Sequence, residues 1–368
     1  MVTINKSDSI SVFQLILLSM TFIGLKTHVM LISPLIKTAG RDAWITVLLT
    51  CLLTLIWVPL LVYVNKKTKG EHLFQWMKKH MNKPFTNVVI FLTIAYLTIM
   101  EIVTLRETIT WINIIFLQRT PLIILVLIFG FTCCLLAATS IRTISIVNVF
   151  LLFFIVLLGF FVSFTNFQFK DYSLLQPVLE NGYFPVIKSI VFQGSGMVEL
   201  LLLLFLQHKV PQPIRYKHLA VAAILLTGLT IGPLIGAITE FGPVEASKQR
   251  FPPYEEWGIA SLGKFIEHID FLSIYQWLSG TFIRISTFLF IMKELVAFQK
   301  GQKRFLLLIL VVITVCTLAP ITDFAFSNLL FFTIIPATFW LFVAFSLFLA
   351  GIVFLFSHKT RRDKSGIF

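Results

Sequence analysis

Residues 188–208, KSIVFQGSGMVELLLLLFLQH, have the length and apolar character of a membrane-spanning helix but contain two glycines near the middle. Gly194 and Gly196 flank Ser195, and glycine is unfavourable in a helix interior. An unpaired backbone group in hydrocarbon costs several kcal/mol, so a break in a spanning helix is tolerated only where it lines a protein cavity. The stretch therefore predicts a broken helix beside a cavity.

Glu199 follows three residues after Gly196. A carboxyl group at mid-membrane depth is costly and typically marks a functional site. A second interpretation stays open, because small residues are also common where transmembrane helices pack closely. The Gly-Ser-Gly step is then a helix-packing face rather than a ligand site.

Composition defines the class of protein. Hydrophobic residues make up 57% and charged residues 13% of the chain, and there are 39 phenylalanines. Soluble domains contain about 25% charged residues, so this composition predicts a polytopic all-α integral membrane protein. Residues 1–9 are polar, and the apolar run from Ile10 lacks a small-residue cleavage site, so we expect no cleaved signal peptide.

Ten spans are predicted along the chain. Their approximate bounds are residues 10–35, 43–64, 85–116, 121–139, 144–164, 188–208, 219–238, 271–298, 305–318 and 329–356. Between the second and third, an apolar stripe at helical spacing predicts a short helix on the membrane surface or a solvated loop. A further helix is predicted over Tyr254 to His268 in the polar segment after the seventh span. A solvated face explains the acidic residues of this segment, which are Glu255, Glu256, Glu267 and Asp270.

The distribution of Lys and Arg predicts the orientation. With the N-terminus inside, the cytoplasmic segments hold eighteen of these residues and the outer loops hold seven. Both termini are therefore expected in the cytoplasm. The net charge of +13 is then a topological signal that can also contact anionic lipid, rather than a nucleic-acid surface.

Interruptions in the first and sixth of ten spans predict a five-plus-five inverted repeat. We expect residues 1–165 to form the first half of a single membrane domain and residues 166–368 the second, although the halves share no clear residue-level similarity. Gly24 and Gly194 then bring two helix breaks together near the midplane. Freed amides attract a carboxylate and freed carbonyls attract a cation, so we expect a pocket for a small zwitterion or similar polar molecule.

Buried ionisable residues support such a pocket. Lys26, Glu101, Glu199 and Arg284 all fall near mid-membrane, where isolated charges are unfavourable and mutual pairing is expected. An ion pair that only holds helices together explains them equally well, and His28 is expected to be a packed neutral imidazole. The predicted ligand-binding residues are Gly24, Leu25, Lys26, Thr27, Glu101, Gly194, Ser195, Gly196, Glu199 and Arg284.

No nucleophile–base pair or metal-ligand spacing occurs in the sequence, so we expect neither an enzyme nor a cofactor. The four cysteines fall inside predicted spans, where they are expected to face lipid or fill the core. They are Cys51, Cys133, Cys134 and Cys316.

Five segments carry a resemblance to a known family. They are AGRDAW (39–44), FLQRTP (116–121), LLQPVLENG (174–182), GSGMVELLL (194–202) and GKFIEHID (263–270). Together they resemble the B subunits of endospore germinant receptors. The resemblance covers essentially the whole chain. It implies the amino acid–polyamine–organocation superfamily, the LeuT-type fold and a place in the inner spore membrane. It also implies that the chain senses a nutrient germinant, such as an amino acid or sugar, together with an A subunit and a lipid-anchored C subunit.

One departure concerns the first span. Transporter relatives commonly carry Gly-X-Gly there, where this sequence has Gly24-Leu25-Lys26. The lysine could occupy a cation site or contact a carboxylate ligand directly. Two functions stay open: a receptor subunit that signals to partners, and an autonomous cation-coupled amino acid transporter. The fold does not distinguish between them, because both functions occur on the same fold. A third interpretation is a scaffold with a vestigial pocket.

Overall fold

The computed structural model describes residues 8–261, 269–296 and 302–365, and in these ranges the chain is helical without β-strands. The helices are α1 (Val12–Leu25), α2 (Ile32–Ala39), α3 (Ala43–Lys67), α4 (Leu73–His80), α5 (Lys83–Ile115), α6 (Leu122–Ala138), α7 (Ile141–Thr165), α8 (Phe184–Met197), α9 (Tyr216–Phe241), α10 (Pro243–Lys248), α11 (Pro252–Gly258), α12 (Leu272–Val296), α13 (Gln302–Thr317), α14 (Asp323–Leu329) and α15 (Ile335–Ser365).

Each predicted span coincides with one helix or with a consecutive series of helices. Within the described residues, seven stretches are long and apolar enough to cross a membrane. Two shorter apolar helices, Leu122–Ala138 and Arg304–Thr317, match the fourth and ninth predicted spans. The eighth is α12, which is 25 residues long and carries three charged residues, Arg284 at its centre and Lys293 and Glu294 near its end. The all-α membrane fold is thus confirmed, while the count of ten stays a prediction.

The first span changes helix type at its predicted interruption. The α1 helix ends at Leu25, and Lys26–Met30 form a π-helical turn in which the Leu31 amide bonds the Lys26 carbonyl at 3.1 Å. Helix α2 then begins at Ile32. Pro34 has no N–H, so the Met30 carbonyl cannot receive the usual i→i−4 bond, and a change of helix type is tolerated there.

The sixth span is irregular slightly later than predicted. Helix α8 remains α-helical through Gly194, Ser195 and Gly196, and a 3₁₀ helix follows over Val198–Phe205. The glycines are therefore not unwound, and Glu199 lies in the tighter 3₁₀ segment. A 3₁₀ run of eight residues is unusually long, because i→i+3 bonds have poorer geometry than α-helical bonds.

Two basic side chains cap helices in a manner that relates the halves of the chain. Arg106 on α5 donates to the carbonyl of Thr317, the last residue of α13, at 3.1 Å and to that of Ala319 at 2.8 Å. Lys293 on α12 donates to Ala137 and Thr139 at the end of α6, at 2.7 and 2.9 Å. Cations favour the carbonyls at a helix C-terminus.

These two caps have the pairing that an inverted repeat predicts. In the first, a residue of the third span caps the ninth, and in the second, a residue of the eighth caps the fourth. Exchanging the two five-helix halves converts one cap into the other. The division at residue 165 stays a prediction.

Two peripheral predictions need correction. Helix α4 forms as predicted, but its apolar side packs on the protein rather than on the membrane surface. Leu73 and Phe74 are buried, and the Phe74 ring lies 5.1 Å from that of Phe205. The helix predicted over Tyr254 to His268 is shorter than expected, because α11 ends at Gly258 and residues 259–261 are not helical. The rest of that prediction, residues 262–268, lies outside the described residues.

Candidate functional site

One carboxylate joins two cations at the centre of the helix bundle. Glu199 Oε1 lies 3.0 Å from Lys26 Nζ, and Glu199 Oε2 lies 2.7 Å from Arg284 Nη1. Arg284 Nη2 also donates to Glu199 Oε1 at 3.0 Å, so the guanidinium grips the carboxylate with two nitrogens. All three side chains have 0% exposure. The first, sixth and eighth spans are therefore connected by charge at a site without water access.

The remaining donors of the two cations meet backbone and hydroxyl oxygens. Lys26 Nζ donates to the Ser195 carbonyl at 2.9 Å. Arg284 donates from Nη1 to the Phe22 carbonyl and from Nε to the Thr104 hydroxyl, the latter at 3.3 Å. The guanidinium carbon also lies 4.5 Å from the ring centre of Phe288. Such surrounding partners reduce the desolvation cost of burying charge.

Tyr96 is a member of the centre that the sequence reasoning missed. Its hydroxyl donates to Glu199 Oε1 at 3.1 Å from helix α5. A polar aromatic residue in a long apolar helix is a weak signal, since tyrosine is common at membrane interfaces. Residues five apart lie about 140° apart around an α-helix, so Glu101 gave no indication that Tyr96 faces Glu199.

Gly194 and Gly196 are sites of close helix packing in this conformation. A Cβ atom at Gly196 would overlap with Cγ2 of Thr27, and one at Gly194 would overlap with the ring of Phe339. The alternative interpretation of the Gly-Ser-Gly step as a packing face thus describes these contacts. Ser195 instead contributes its carbonyl to Lys26, while its hydroxyl donates to the Phe192 carbonyl at 2.7 Å.

The predicted ligand-binding residues of the first span, Gly24 to Thr27, lie on two sides of the helix. Lys26 reaches Glu199, and the Thr27 hydroxyl bonds the Gly24 carbonyl at 3.3 Å. Gly24 and Leu25 lie on the other side, where they line a cavity described below. The structure therefore brings together Lys26, Ser195, Glu199 and Arg284, and places the glycines and Leu25 around them rather than among them.

Glu101 is buried but stands apart from the Glu199 cluster. Its exposure is 1%, and neither carboxylate oxygen has a hydrogen-bond partner in the described parts of the chain. Arg284 is close enough to interact electrostatically with it, without forming an ion pair. An ionisable group this isolated is expensive inside a membrane and is typical of functional positions.

Charged residues away from this centre have environments that the sequence did not predict. Glu107, only 4% exposed, pairs with Arg250 at 2.7 Å. Glu256 was expected on a solvated face, yet it is 4% exposed, so this prediction was wrong. Its helix, α11, packs against α9 beside Gly236, where the absence of a Cβ leaves room for the carboxyl group.

A cavity of about 610 Å³ lies between α1, α7, α9, α11 and α12. His28 lines it and bonds the Leu229 carbonyl at 2.8 Å through Nδ1. Pro233, four residues after Leu229, has no N–H, so that carbonyl lacks its helical donor. Because a carbonyl only accepts, Nδ1 carries the proton, as expected for a packed imidazole.

Together these features define a class of protein. A bundle of apolar helices with irregular first and sixth spans, meeting at a buried charged centre, is the architecture of a membrane transporter-type protein. The structure of Mhp1, a nucleobase-cation-symport-1 family transporter in a closed conformation with bromovinylhydantoin bound, has the same fold. It covers 94% of this chain and 77% of its own with a TM-score of 0.65 and 13% sequence identity.

Residues 9–326 match the spore germination protein family, and the chain belongs to that family. It is 38% identical to spore germination protein XB of Bacillus anthracis, over 96% of this chain and 99% of that protein. It is also 26% identical to spore germination protein A2 of Bacillus subtilis (strain 168), over 55% and 57% of the two chains. The fold and family are of permease type rather than those of an enzyme.

Because Glu199 is shared by two cations, substitutions that neutralise Glu199, Lys26 or Arg284 should destabilise the protein to different degrees. Glu199→Gln leaves two buried cations without a counter-charge, and breaking a buried pair in this way costs roughly 3–5 kcal/mol. Lys26→Met leaves a balanced Glu199–Arg284 pair, so we expect the mildest loss. Arg284→Met should fall between, because it also removes the bonds to Phe22 and Thr104. Membrane abundance and thermal unfolding of the purified protein measure this order, and equal losses for all three would contradict it.

The packing at Gly196 predicts a specific rescue. Gly196→Ala introduces a methyl group where Cγ2 of Thr27 lies, so we expect lower abundance and a lower melting temperature. Thr27→Ser removes that Cγ2 and keeps the hydroxyl, so the double variant should recover much of the loss. Combining Gly196→Ala with Ser195→Ala serves as the control and should bring no recovery. A Gly196→Ala protein as stable as the wild type would exclude tight packing here.

Proposed function

We propose that this protein is the nutrient-sensing subunit of a spore germinant receptor. It binds a small molecule such as an amino acid near the middle of the membrane and signals to partner subunits of the A and C type. Family membership and the transporter fold support this assignment. The observation that carries it is the single carboxylate held between two fully buried cations.

The charge balance of the centre favours a ligand with a carboxylate. Glu199 neutralises one of the two cations, which leaves an excess positive charge in a region of low dielectric. Glu101 is too far away to form an ion pair with either cation. A ligand carboxylate beside Lys26 would complete the balance, and helix termini at the irregular turns would add backbone groups. We assign the ligand site to the predicted residues other than Glu101, with Lys26 as its anion contact and Gly24 to Thr27 and Gly194 to Gly196 as its surroundings.

The same centre provides a route for the signal. A ligand that competes with Glu199 for Lys26 weakens the connection between the first span and the 3₁₀ segment of the sixth. A 3₁₀ stretch in the middle of a helix often marks a functional hinge, so the freed segment can change its pitch. That change would move the inner end of the sixth span, Gln207 to Lys209, which leads into the cytoplasmic side of the protein. We propose that partner subunits detect this movement.

Lys26→Met tests the ligand contact separately from folding. Because a balanced Glu199–Arg284 pair remains, we expect near-normal abundance in the spore membrane but a nutrient response that needs at least about tenfold more nutrient, equivalent to about 1.4 kcal/mol. Lys26→Arg should retain part of the response. Lys188→Met, at an exposed position on α8, is the control and should respond normally. A normal response by Lys26→Met would overturn the assignment.

Glu101 favours the second function, an autonomous transporter. A buried carboxyl group without a hydrogen-bond partner among the described residues is suited to carrying a proton through the membrane. Nutrient uptake by the purified chain in liposomes, driven by a pH gradient and lost in Glu101→Gln, would identify transport. The receptor function instead requires that nutrient response depend on the partner subunits, with no uptake by the chain alone.

We also propose that both termini are cytoplasmic and that the protein lies in the inner spore membrane. In a background without native cysteines, Asn181→Cys should react with an impermeant maleimide applied from outside. Lys66→Cys should react only after the membrane is permeabilised. Both positions are exposed. Labelling of both from the same side would contradict the odd number of spans that separates them.

A further inference from the structure

The cavity between α1, α7, α9, α11 and α12 is separate from the charged centre. Its lining includes none of Lys26, Glu199 and Arg284. Its volume of about 610 Å³ lies within the range of ~300–1,000 Å³ that is common for small-molecule sites. Most of its lining is apolar, and the polar groups are concentrated on α11 and its neighbours. The cavity therefore has the general form of a binding site.

A buried carboxyl group stands at one end of this cavity. Glu256 is 4% exposed, and its Oε1 has no hydrogen-bond partner in the parts of the chain that the structure describes. The carboxyl group lies against Gly236 on α9, where an added Cβ would lie 2.6 Å from Oε2. Burial and the neighbouring Glu240 raise the pKa of the Glu256 carboxyl well above its usual value. An unsatisfied carboxyl group in a cavity has capacity for a ligand donor.

Among the residues that the structure describes, the charges around Glu256 are short of one cation. The side chain of Glu240 is also buried, and it accepts a hydrogen bond from Asn166 at 2.9 Å. Lys170 is its ion-pair partner at 3.6 Å, and this lysine is the one cation paired with either carboxylate among the described residues. Two carboxyl groups thus share a single positive charge, the reverse of the balance at Glu199. A positively charged ligand group would correct it.

Aromatic residues and an opening toward lipid define the rest of the site. Tyr254, Trp257 and Trp277 line the cavity, and aromatic rings stabilise a neighbouring ammonium group. Phe160 on α7 and Ile224 on α9 line it as well, yet they are 61% and 55% exposed. They lie on apolar spanning helices, so this side of the cavity meets the lipid. A ligand with an apolar body can therefore enter from the membrane.

We propose that this cavity binds an amphipathic molecule with an apolar body and a primary ammonium group, which pairs with Glu256. The ammonium group occupies the end formed by α11, and the apolar body lies between α7 and α9. Such a group occurs both in free hydrophobic amines and in aminophospholipid headgroups. The site uses none of the charged residues of the centre, although Gly24 and Leu25 border it as well as the proposed nutrient site.

Binding of 2-phenylethylamine to the full chain in phosphatidylcholine nanodiscs tests the proposal. Its neutral counterpart, 2-phenylethanol, has the same shape without the positive charge. We expect the wild-type protein to bind the amine at least about tenfold more tightly than the alcohol, and Glu256→Gln to lose that preference. Glu255→Gln is the matched control, since this neighbour on α11 does not line the cavity, and it should bind like the wild type.

A second pair of variants fills the cavity without removing charge. A Cβ at Gly228 meets open space, so Gly228→Leu should fold and place its side chain in the cavity. It should weaken amine binding by about tenfold or more. Gly351→Leu on α15 makes the same change at an equally open position away from the cavity, and it should leave binding unchanged.

Nanodiscs that contain phosphatidylethanolamine distinguish the two sources of the ammonium group. If this lipid weakens amine binding in the wild type but not in Glu256→Gln, the site takes a lipid headgroup. If amine binding is the same in both lipids, the site takes a free amine, and both results support the ammonium site. Absent amine binding, equal binding of amine and alcohol, or unchanged binding in Glu256→Gln would each overturn the proposal.

Discussion

The structure depends on Glu199 and the two cations that share it. In a membrane interior these three groups cannot be hydrated, so the helices that carry them must meet wherever the charges can be paired. This requirement fixes the rotation of the sixth span against the first and the eighth. It also gives the glycines a clear role, since Gly196 allows the two helices to approach until Lys26 reaches both Glu199 and the Ser195 carbonyl. The 3₁₀ segment then turns the carboxylate toward Arg284.

Charge imbalance recurs at a second place with the opposite sign. The centre has two cations and one carboxylate, whereas the outer cluster has Glu240 and Glu256 with Lys170. Buried groups of this kind are retained at a cost in stability, which is a reason to associate them with ligands rather than with folding alone. The two sites lie on different sides of the first span. The charged centre lies between α1 and the sixth span, and the cavity with Glu256 lies between α1, α7 and α9. A single helix thus borders both.

Much of the fold and part of the site could be predicted from the sequence. Apolar length and glycine spacing indicated the spans and the two irregular helices, and membrane depth singled out Lys26, Glu199 and Arg284. Membrane depth does not determine the direction in which a side chain points around the helix axis. For this reason Glu101 was grouped with these three residues although it faces elsewhere. Tyr96 was missed for the same reason. Glu256 was misplaced because a polar segment outside the spans was assumed to be solvated, whereas tertiary packing of α11 on Gly236 buries it.

The most direct test of the account is a structure of the protein in its membrane complex with the nutrient to which it responds. We expect the ligand's carboxylate within about 3 Å of Lys26 Nζ, with the Lys26–Glu199 contact lengthened and the Glu199–Arg284 pair retained. A ligand bound elsewhere, with both contacts of Glu199 unchanged, would contradict it. In that case the charged centre would hold the helices together without sensing the nutrient.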